Sequence, residues 1–304
     1  MLFRSLRSWF RQEDRGLAIS IAFSGASLGP AIAPPVLTWL MLGWGWRAMF
    51  ITVGIAGVAL AFIWWSLYRD PSHHAFSAEQ MLELPDEHTP LAERLSLAHV
   101  LELLRYRTFW GMVLGNFGLV YLAWLYITWL PGYLEIERHM SIAKAGVYAG
   151  IPQFVGLFGF WSGGLLGDRL VRSGLSQSVS RKVPIILGLI AMATATIPAA
   201  LVSSNGLAIT FISIAVFFGS MSQPAQWALV SIVAPPERIS TFSAATNFGG
   251  AIGGSLSAVI TGYIAQRTGS FAPALILGGV MAIGAAILYG FVVKHPIPTA
   301  EQKS

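Results

Sequence analysis

Cysteine is absent from this 304-residue sequence, and charged residues make up only 11% of it. Without cysteine there is no disulfide, no thiol nucleophile and no cysteine metal site. The charged fraction lies far below the roughly one quarter that is usual in soluble domains, while 55% of the residues are hydrophobic and the mean hydropathy is +0.64. The composition therefore predicts an integral membrane protein.

Charge is also absent from the interior of eight apolar runs, each close to the roughly 20 residues that cross a bilayer core. Open sheet edges cannot exist in lipid, so these runs predict an all-α, polytopic helical bundle. No intramembrane nucleophile or ligand cluster supports a membrane enzyme. The runs cover approximately residues 17–40, 48–68, 108–130, 145–167, 184–202, 207–233, 241–265 and 273–293.

Lysine and arginine alternate between the two sides of the predicted bundle. Fifteen lie in the terminal tails and alternate loops on one side, and four lie on the other. Because the basic side of a membrane protein faces the cytoplasm, both termini are predicted to be cytoplasmic. The formal net charge of +5 is explained by this topology, so nucleic acid is not a predicted partner.

A compact polar motif follows the fourth apolar run. Gly164 is followed by Asp168, Arg169 and Arg172 at the end of that run, where the chain enters a basic loop. An ordinary basic membrane anchor with an aspartate at the helix end would explain it. The motif also resembles the loop signature of the major facilitator superfamily. That resemblance implies a charge-relay lock at the cytoplasmic ends of neighbouring helices.

Other segments, in the same order, resemble the anion:cation symporter branch of that superfamily, which includes galactonate, glucarate, hexuronate and phthalate permeases. The resemblance implies proton-coupled symport of a small organic anion, such as a sugar acid or an aromatic carboxylate, across a bacterial inner membrane. It implies no cofactor, with the proton as coupling ion. Ala258 and Phe23 depart from the family pattern, so the substrate does not follow from it. The segments are 125–134, 181–184, 227–235, 247–254, 261–263 and 268–273.

Three landmarks lie four helices earlier here than in the twelve-helix family: the long polar connection, the glycine and proline motif of the first run, and the Asp168 motif. About eight of twelve helices are therefore expected. Residues 1–70 would be the last two helices of the N-terminal bundle and 71–105 the cytoplasmic central loop with an amphipathic helix. Residues 106–295 would be the C-terminal six-helix bundle, and 296–304 a cytoplasmic tail. A non-transporting protein, or a half-transporter that needs a partner subunit, remains an alternative.

Substrate-binding candidates are polar and aromatic residues inside the runs. Asn247 and Gln226 interrupt apolar helices, and each could bind a hydroxyl or carboxylate; a hydrogen bond between helices is the alternative for both, and the family position of Asn247 favours binding. Trp227, Trp124, Tyr121 and Ser24 complete the set. Trp124 and Tyr121 form an aromatic wall or pack against lipid. The resemblance places the substrate-clamping arginines and proton-carrying carboxylates in the first and fourth family helices, which this chain is expected to lack.

Two further clusters have simple explanations. His73 and His74 have only loop carboxylates near them, so no metal site is predicted. Glu135 and Glu137 accompany Arg138 in a short external loop, and they are interpreted as solvated charge rather than as a catalytic pair.

Overall fold

The computed structural model describes residues 15–67, 101–235, 238–294 and 297, and within its first helix it describes side chains from Leu28 onwards. No strand occurs in this part of the chain, so the all-α prediction is confirmed. The helices are α1 Arg15–Leu67, α2 Arg107–Ile136, α3 Ile142–Arg172, α4 Gln177–Leu201, α5 Asn205–Val233, α6 Ile239–Thr268 and α7 Ala272–Ile287, the last continued by a π-helical turn Leu288–Val292.

Among the described residues, six helices are long and apolar enough to cross a membrane. The exception is α3, in which the apolar run is diluted by glycine along its length. The six predicted runs from residue 108 onwards each coincide with one of the helices α2 to α7. The structure therefore confirms the helices of the predicted multi-pass bundle.

The first two predicted runs lie on either side of a kink within α1. Gly45, at φ 82° and ψ 166°, is non-helical, and two helices meet there. A positive φ of this size favours glycine, so the break falls at the residue type that permits it. A 53-residue helix is about 80 Å long, well beyond one bilayer core of about 30 Å, so α1 holds more than one crossing and Gly45 marks its break.

Helices α2 to α7 form one packed bundle. α2 packs mainly on α6 and α7, α5 packs mainly on α3 and α4, and contacts between α4 and α7 join the two groups. The core is filled by large side chains with almost no exposed surface, such as Tyr126, Met112 and Leu189. Apolar packing of this kind replaces the hydrophobic effect, which is lost between helices in lipid.

Glycines set the closest approaches in this bundle. A Cβ on Gly118 of α2 would lie 2.6 Å from the carbonyl oxygen of Met281 in α7, and one on Gly249 of α6 would lie 2.7 Å from that of Val113 in α2. On α3, a Cβ at Gly159 or Gly163 would collide with main-chain carbonyls of α5. The helices approach one another as closely as their backbones allow.

α1 packs on the bundle through α3. Its Ala31, Pro35 and Thr38 lie against Gly146 and Gly150, near the beginning of α3. In contrast, every residue from Phe50 to Leu67 is exposed. The amphipathic helix predicted within 71–105 falls almost entirely outside the described residues, as does the tail 296–304 apart from Ile297.

Candidate functional site

The polar motif lies at the end of α3, where it pairs with α4. Arg181 Nη2 lies 2.9 Å from Asp168 Oδ1, and both side chains are partly exposed. Arg169 and Arg172 occupy the last turn of the helix and are exposed. Asp168 is thus the one acidic group of the motif beside three arginines, at the junction of two neighbouring helices. Arg181 is the partner that the sequence pattern did not assign to it.

Gly167 makes room for this ion pair. A Cβ there would lie 2.5 Å from Arg181 Nη1, so a larger residue would push the guanidinium aside. Gly174, at φ 89°, then ends the α3 segment in the left-handed region that favours glycine.

The residue next to Arg181 connects the same end of α4 to the last helix. Lys182 Nζ donates to the carbonyl oxygen of Val293, directly after the π-helical turn. A cation is favoured at the carbonyl end of a helix, where it complements the helix dipole. The beginning of α4 is thereby bonded both to α3 and to the end of α7.

A second ion pair lies on this side of the bundle. Arg238 Nη1 at the N-cap of α6 lies 2.5 Å from Glu102 Oε2, which precedes α2. The two side chains are less exposed than those of Asp168 and Arg181. This pair fixes the entry into α2 to the start of α6.

Glu137 and Arg138 are not solvated charge, which corrects the sequence interpretation. Glu137 accepts hydrogen bonds from Ser270 Oγ at 3.0 Å and from the Phe271 backbone N–H at 2.5 Å, and so caps the beginning of α7. Arg138 donates to the carbonyl oxygen of Ala199 at 3.2 Å, at the end of α4. An anion at a helix N-terminus and a cation at a helix C-terminus both complement the dipoles.

Replacing Glu137 by alanine is expected to lower the free energy of unfolding by about 1–2 kcal/mol, because the start of α7 loses its charged cap. Glu135→Ala is the matched control, since Glu135 is exposed two residues earlier and should change stability by less than about 0.5 kcal/mol. The measurement is an SDS titration of the purified chain in mixed micelles. Equal effects of the two substitutions would contradict the capping role.

The predicted substrate-binding residues separate into exposed and buried positions. Asn247 of α6 and Trp124 of α2 are exposed. The ring of Trp124 contacts Gly254 of α6, at the seam between α2 and α6. Trp227 is half-buried. Ser24 lies in α1, but its side chain is outside the described residues. Trp124 therefore lies against α6, the helix that contains Asn247.

Tyr121 and Gln226 are buried inside the bundle, with 0% and 1% exposure. Gln226 lies next to Tyr289 of the π-helical turn, whose ring packs on Gly115 of α2. These two candidates therefore face neighbouring helices rather than an open surface.

Asn116 is a polar residue of this region that the sequence interpretation missed. It is buried in α2 and donates from Nδ2 to the carbonyl oxygen of Thr246 at 2.9 Å, one residue before Asn247. Gly250 leaves room for it, because a Cβ there would lie 2.5 Å from Nδ2. Its position as an asparagine inside an apolar run was the sequence signal that could have identified it.

An open cavity of about 390 Å³ lies elsewhere, between the beginnings of α3 and α5. Lys144, Tyr148 and Asn205 are among its lining residues, and none of the predicted binding residues is. Within the described ranges, no group of three or more His, Asp or Glu residues is arranged to hold a metal ion. The pair His73 and His74 lies outside those ranges.

Comparison with known proteins identifies relatives along almost the whole chain. It is 34% identical over 293 residues to the "Probable L-galactonate transporter" of Escherichia coli (strain K12), covering 96% of this chain and 65% of that protein. It is 30% identical over 302 residues to the "Probable galactarate/D-glucarate transporter GarP" of the same organism, covering 95% of this chain and 68% of the relative. The chain thus spans about two thirds of the length of these relatives.

Solved structures share the fold. A bacterial homolog of the human lysosomal transporter Spinster, in an inward-facing and occupied conformation, matches with a TM-score of 0.64 at 19% identity, over 95% of this chain and 72% of that one. A variant of the Escherichia coli fucose:proton symporter FucP matches with a TM-score of 0.62 at 15% identity, over 95% and 72% of the two chains.

The family model with the description Major Facilitator Superfamily matches residues 1–258. The relatives are membrane transporters and not enzymes, in agreement with the sequence prediction. The resemblance inferred from the Asp168 motif and its flanking segments is confirmed: this multi-pass membrane chain belongs to the Major Facilitator Superfamily.

Proposed function

We propose that the chain acts as a secondary transporter for small organic anions of the sugar-acid type. The observation that carries the proposal is the exposure of Asn247 on α6 and of Trp124 on α2, in a chain whose relatives are named for galactonate, galactarate and glucarate transport. An amide offers hydrogen bonds to hydroxyl and carboxylate groups, and an indole offers a flat apolar face for a sugar carbon chain.

The transport movement is a rocking of α1 against the α2–α7 bundle. Secondary transporters expose a central site alternately to each side by rocking one group of helices against another. α1 packs on the bundle through a short stretch of small residues on α3, whereas Glu137, Arg138, Arg181 and Lys182 join α2, α3, α4 and α7 at the two ends of the bundle. The bundle then moves as one body, and the α1–α3 contact is where movement occurs.

We take the coupling ion to be a proton and the location to be a bacterial inner membrane with both termini in the cytoplasm. The excess of lysine and arginine on one side supports this orientation. Within the described helix interiors, from 108 to 134 and from 241 to 265, no acidic or basic side chain is available to carry the proton. The family resemblance assigns that role to its first and fourth helices.

A half-transporter that works with a partner subunit is the second candidate function. The exposure of every residue from Phe50 to Leu67 favours it, because this apolar half of α1 has no helix packed on it among the described residues. Both candidates require the same Asn247 and Trp124 surface, but only the first requires that the chain transport by itself.

The two candidates are separated by reconstituting the purified chain in proteoliposomes with an inward proton gradient. Saturable uptake of radiolabelled L-galactonate, lost when the gradient is collapsed, is the expected result. Galactonate binding without uptake would support the half-transporter. Neither binding nor uptake of galactonate, glucarate or an aromatic carboxylate would overturn the proposed function.

The Asn247→Ala variant is expected to bind the transported anion about tenfold more weakly, because one hydrogen bond to a charged ligand is lost. Its stability should not change, since Asn247 is exposed. Gln266→Ala, an exposed amide near the other end of α6, is the control and should bind normally. Unchanged binding by Asn247→Ala, measured as the half-saturation concentration, would remove Asn247 from the site.

A further inference from the structure

Three hydroxyl groups are buried at the seam between α2 and α6 without a hydrogen-bond partner among the described residues. They belong to Tyr121 of α2 and to Ser257 and Thr261 of α6, and each of the three residues has 0% exposure. Buried hydroxyls are nearly always paired, because an unpaired one costs about 1–3 kcal/mol in proteins. Three on one seam indicate that a partner is missing from this place.

Ser257 and Thr261 also differ from three other buried serine and threonine residues of the described helices. Thr196, Ser213 and Thr246 each donate to the carbonyl oxygen four residues earlier, at 2.7–2.9 Å. This back-bond is the usual way for a helical serine or threonine to satisfy its hydroxyl within a membrane. Ser257 and Thr261 do not make it, so their hydroxyls are free for another acceptor or donor.

Two of the three groups share the face of α6 that is buried against α2. Ser257 and Thr261 are one helical turn apart and therefore lie on the same side of α6. Across the seam, the Tyr121 hydroxyl is next to Thr261 but does not reach hydrogen-bond geometry.

Tight contacts close the seam on both sides of these hydroxyls along the helices. Toward the beginning of α6, the Trp124 ring packs on Gly254, with 3.0 Å from the ring to the position of a Cβ. Toward its end, the Trp129 ring packs on Gly262 and its Nε1 donates to the carbonyl oxygen of Ala258 at 3.0 Å. Ser257 and Thr261 lie between these two contacts along α6, where the two helices are too close together for a large occupant.

A single water molecule fits the chemistry of this space. Each hydroxyl can donate one hydrogen bond and accept others, and a buried water typically makes about three. A cation is disfavoured, because no carboxylate is among the three groups and an uncompensated charge at membrane depth is costly.

We propose that Tyr121, Ser257 and Thr261 form a binding site for one buried water molecule that bridges α2 and α6. The water links the helices at mid-membrane depth, directly beside Trp124. By linking α2 to α6, the water fixes the position of Trp124, and it does not itself contact the transported anion. Tyr121 is then a water ligand inside the seam, and this assignment does not depend on the proposed transport function.

Radiolytic hydroxyl labelling of the purified full chain tests the site, because a bound water next to a buried side chain generates hydroxyl radicals in place. Tyr121 is expected to be labelled several-fold faster than Tyr126. Tyr126 is the internal control, since it is equally buried but bonds directly to Thr196 Oγ1 at 2.7 Å. Dissolving the chain in H₂¹⁸O before exposure should bring ¹⁸O into the Tyr121 product.

The double variant S257A/T261V removes two of the three water ligands and nearly preserves side-chain shape. It is expected to lower Tyr121 labelling to the Tyr126 level. Labelling of the unaltered chain that is equal at the two tyrosines would overturn the proposal, and this result needs no variant to fold. Labelling of Tyr121 that is suppressed by sodium would indicate a cation site and would overturn it as well.

Discussion

Replacing Asp168 by asparagine is expected to reduce galactonate uptake about fivefold or more while changing the stability of the chain little. The Asp168–Arg181 pair is partly exposed, so its loss should cost no more than about 1 kcal/mol of unfolding free energy. The same energy applied to the balance between two conformations shifts their ratio about fivefold. The shift is larger if Arg169, Arg172 and Arg181 repel one another once the aspartate is neutral.

The control for this experiment is Glu102→Gln, which removes the other ion pair on the same side of the bundle. Glu102 and Arg238 are closer and less exposed than Asp168 and Arg181. If ion pairs matter only for stability, Glu102→Gln should be the more harmful substitution. If the Asp168 motif gates transport, uptake per molecule in proteoliposomes should fall with Asp168→Asn and remain near normal with Glu102→Gln.

One outcome would contradict the gating role of the Asp168 motif. Uptake that is unchanged by Asp168→Asn, at equal protein content of the liposomes, would show that the motif anchors the helix end and does not gate. This experiment rests on the proposed transport function, and a chain that takes up no anion would overturn that proposal before the gating role is tested.

The helices could be predicted from the sequence because their signal is local. An uncharged run of about 20 residues is sufficient evidence of a crossing, and the six runs from residue 108 onwards were found in this way. The break between the first two runs is local as well. Gly43-Trp-Gly45 has the residues of a turn, and Gly45 is where α1 leaves the helical region and two helices meet.

The contacts of the candidate site were less predictable because they join residues far apart in the chain. Glu137 and Arg138 are charged residues of a short loop, and nothing near them in sequence shows that they cap α7 and α4. Gln226 interrupts an apolar helix as Asn247 does, yet one is buried and the other exposed. A helix periodicity weakened by glycine on several faces does not distinguish the side that faces a neighbour.

Glycine spacing was the long-range signal that did carry information. The closely spaced glycines Gly156 and Gly159 on α3 and Gly249 to Gly254 on α6 are typical of close helix contacts, but they do not name the partner helix. The structure supplies the partners, which are α5 and α2. Small residues show that a backbone approaches, and only the fold shows which backbone it is.

The Gly159→Ala substitution is expected to lower the free energy of unfolding by about 1–3 kcal/mol, because its Cβ would collide with the main-chain carbonyl of Phe217. A carbonyl within a helix cannot rotate away, so α3 and α5 must separate. Gly163→Ala should act in the same way against Met221. The double variant should cost less than the sum of the two, because separation forced by one methyl makes room for the other.

Gly284→Ala is the matched control for these variants. It is also a glycine inside a helix, but no atom lies within 4 Å of the position of its Cβ. Alanine has a higher helix propensity than glycine, so this substitution should leave stability unchanged or raise it by up to about 1 kcal/mol. The measurement is the same SDS titration for all variants. If Gly159→Ala proved as stable as Gly284→Ala, α3 and α5 would not be in backbone contact, and the rigid bundle on which the rocking movement depends would lose one of its most extensive helix contacts.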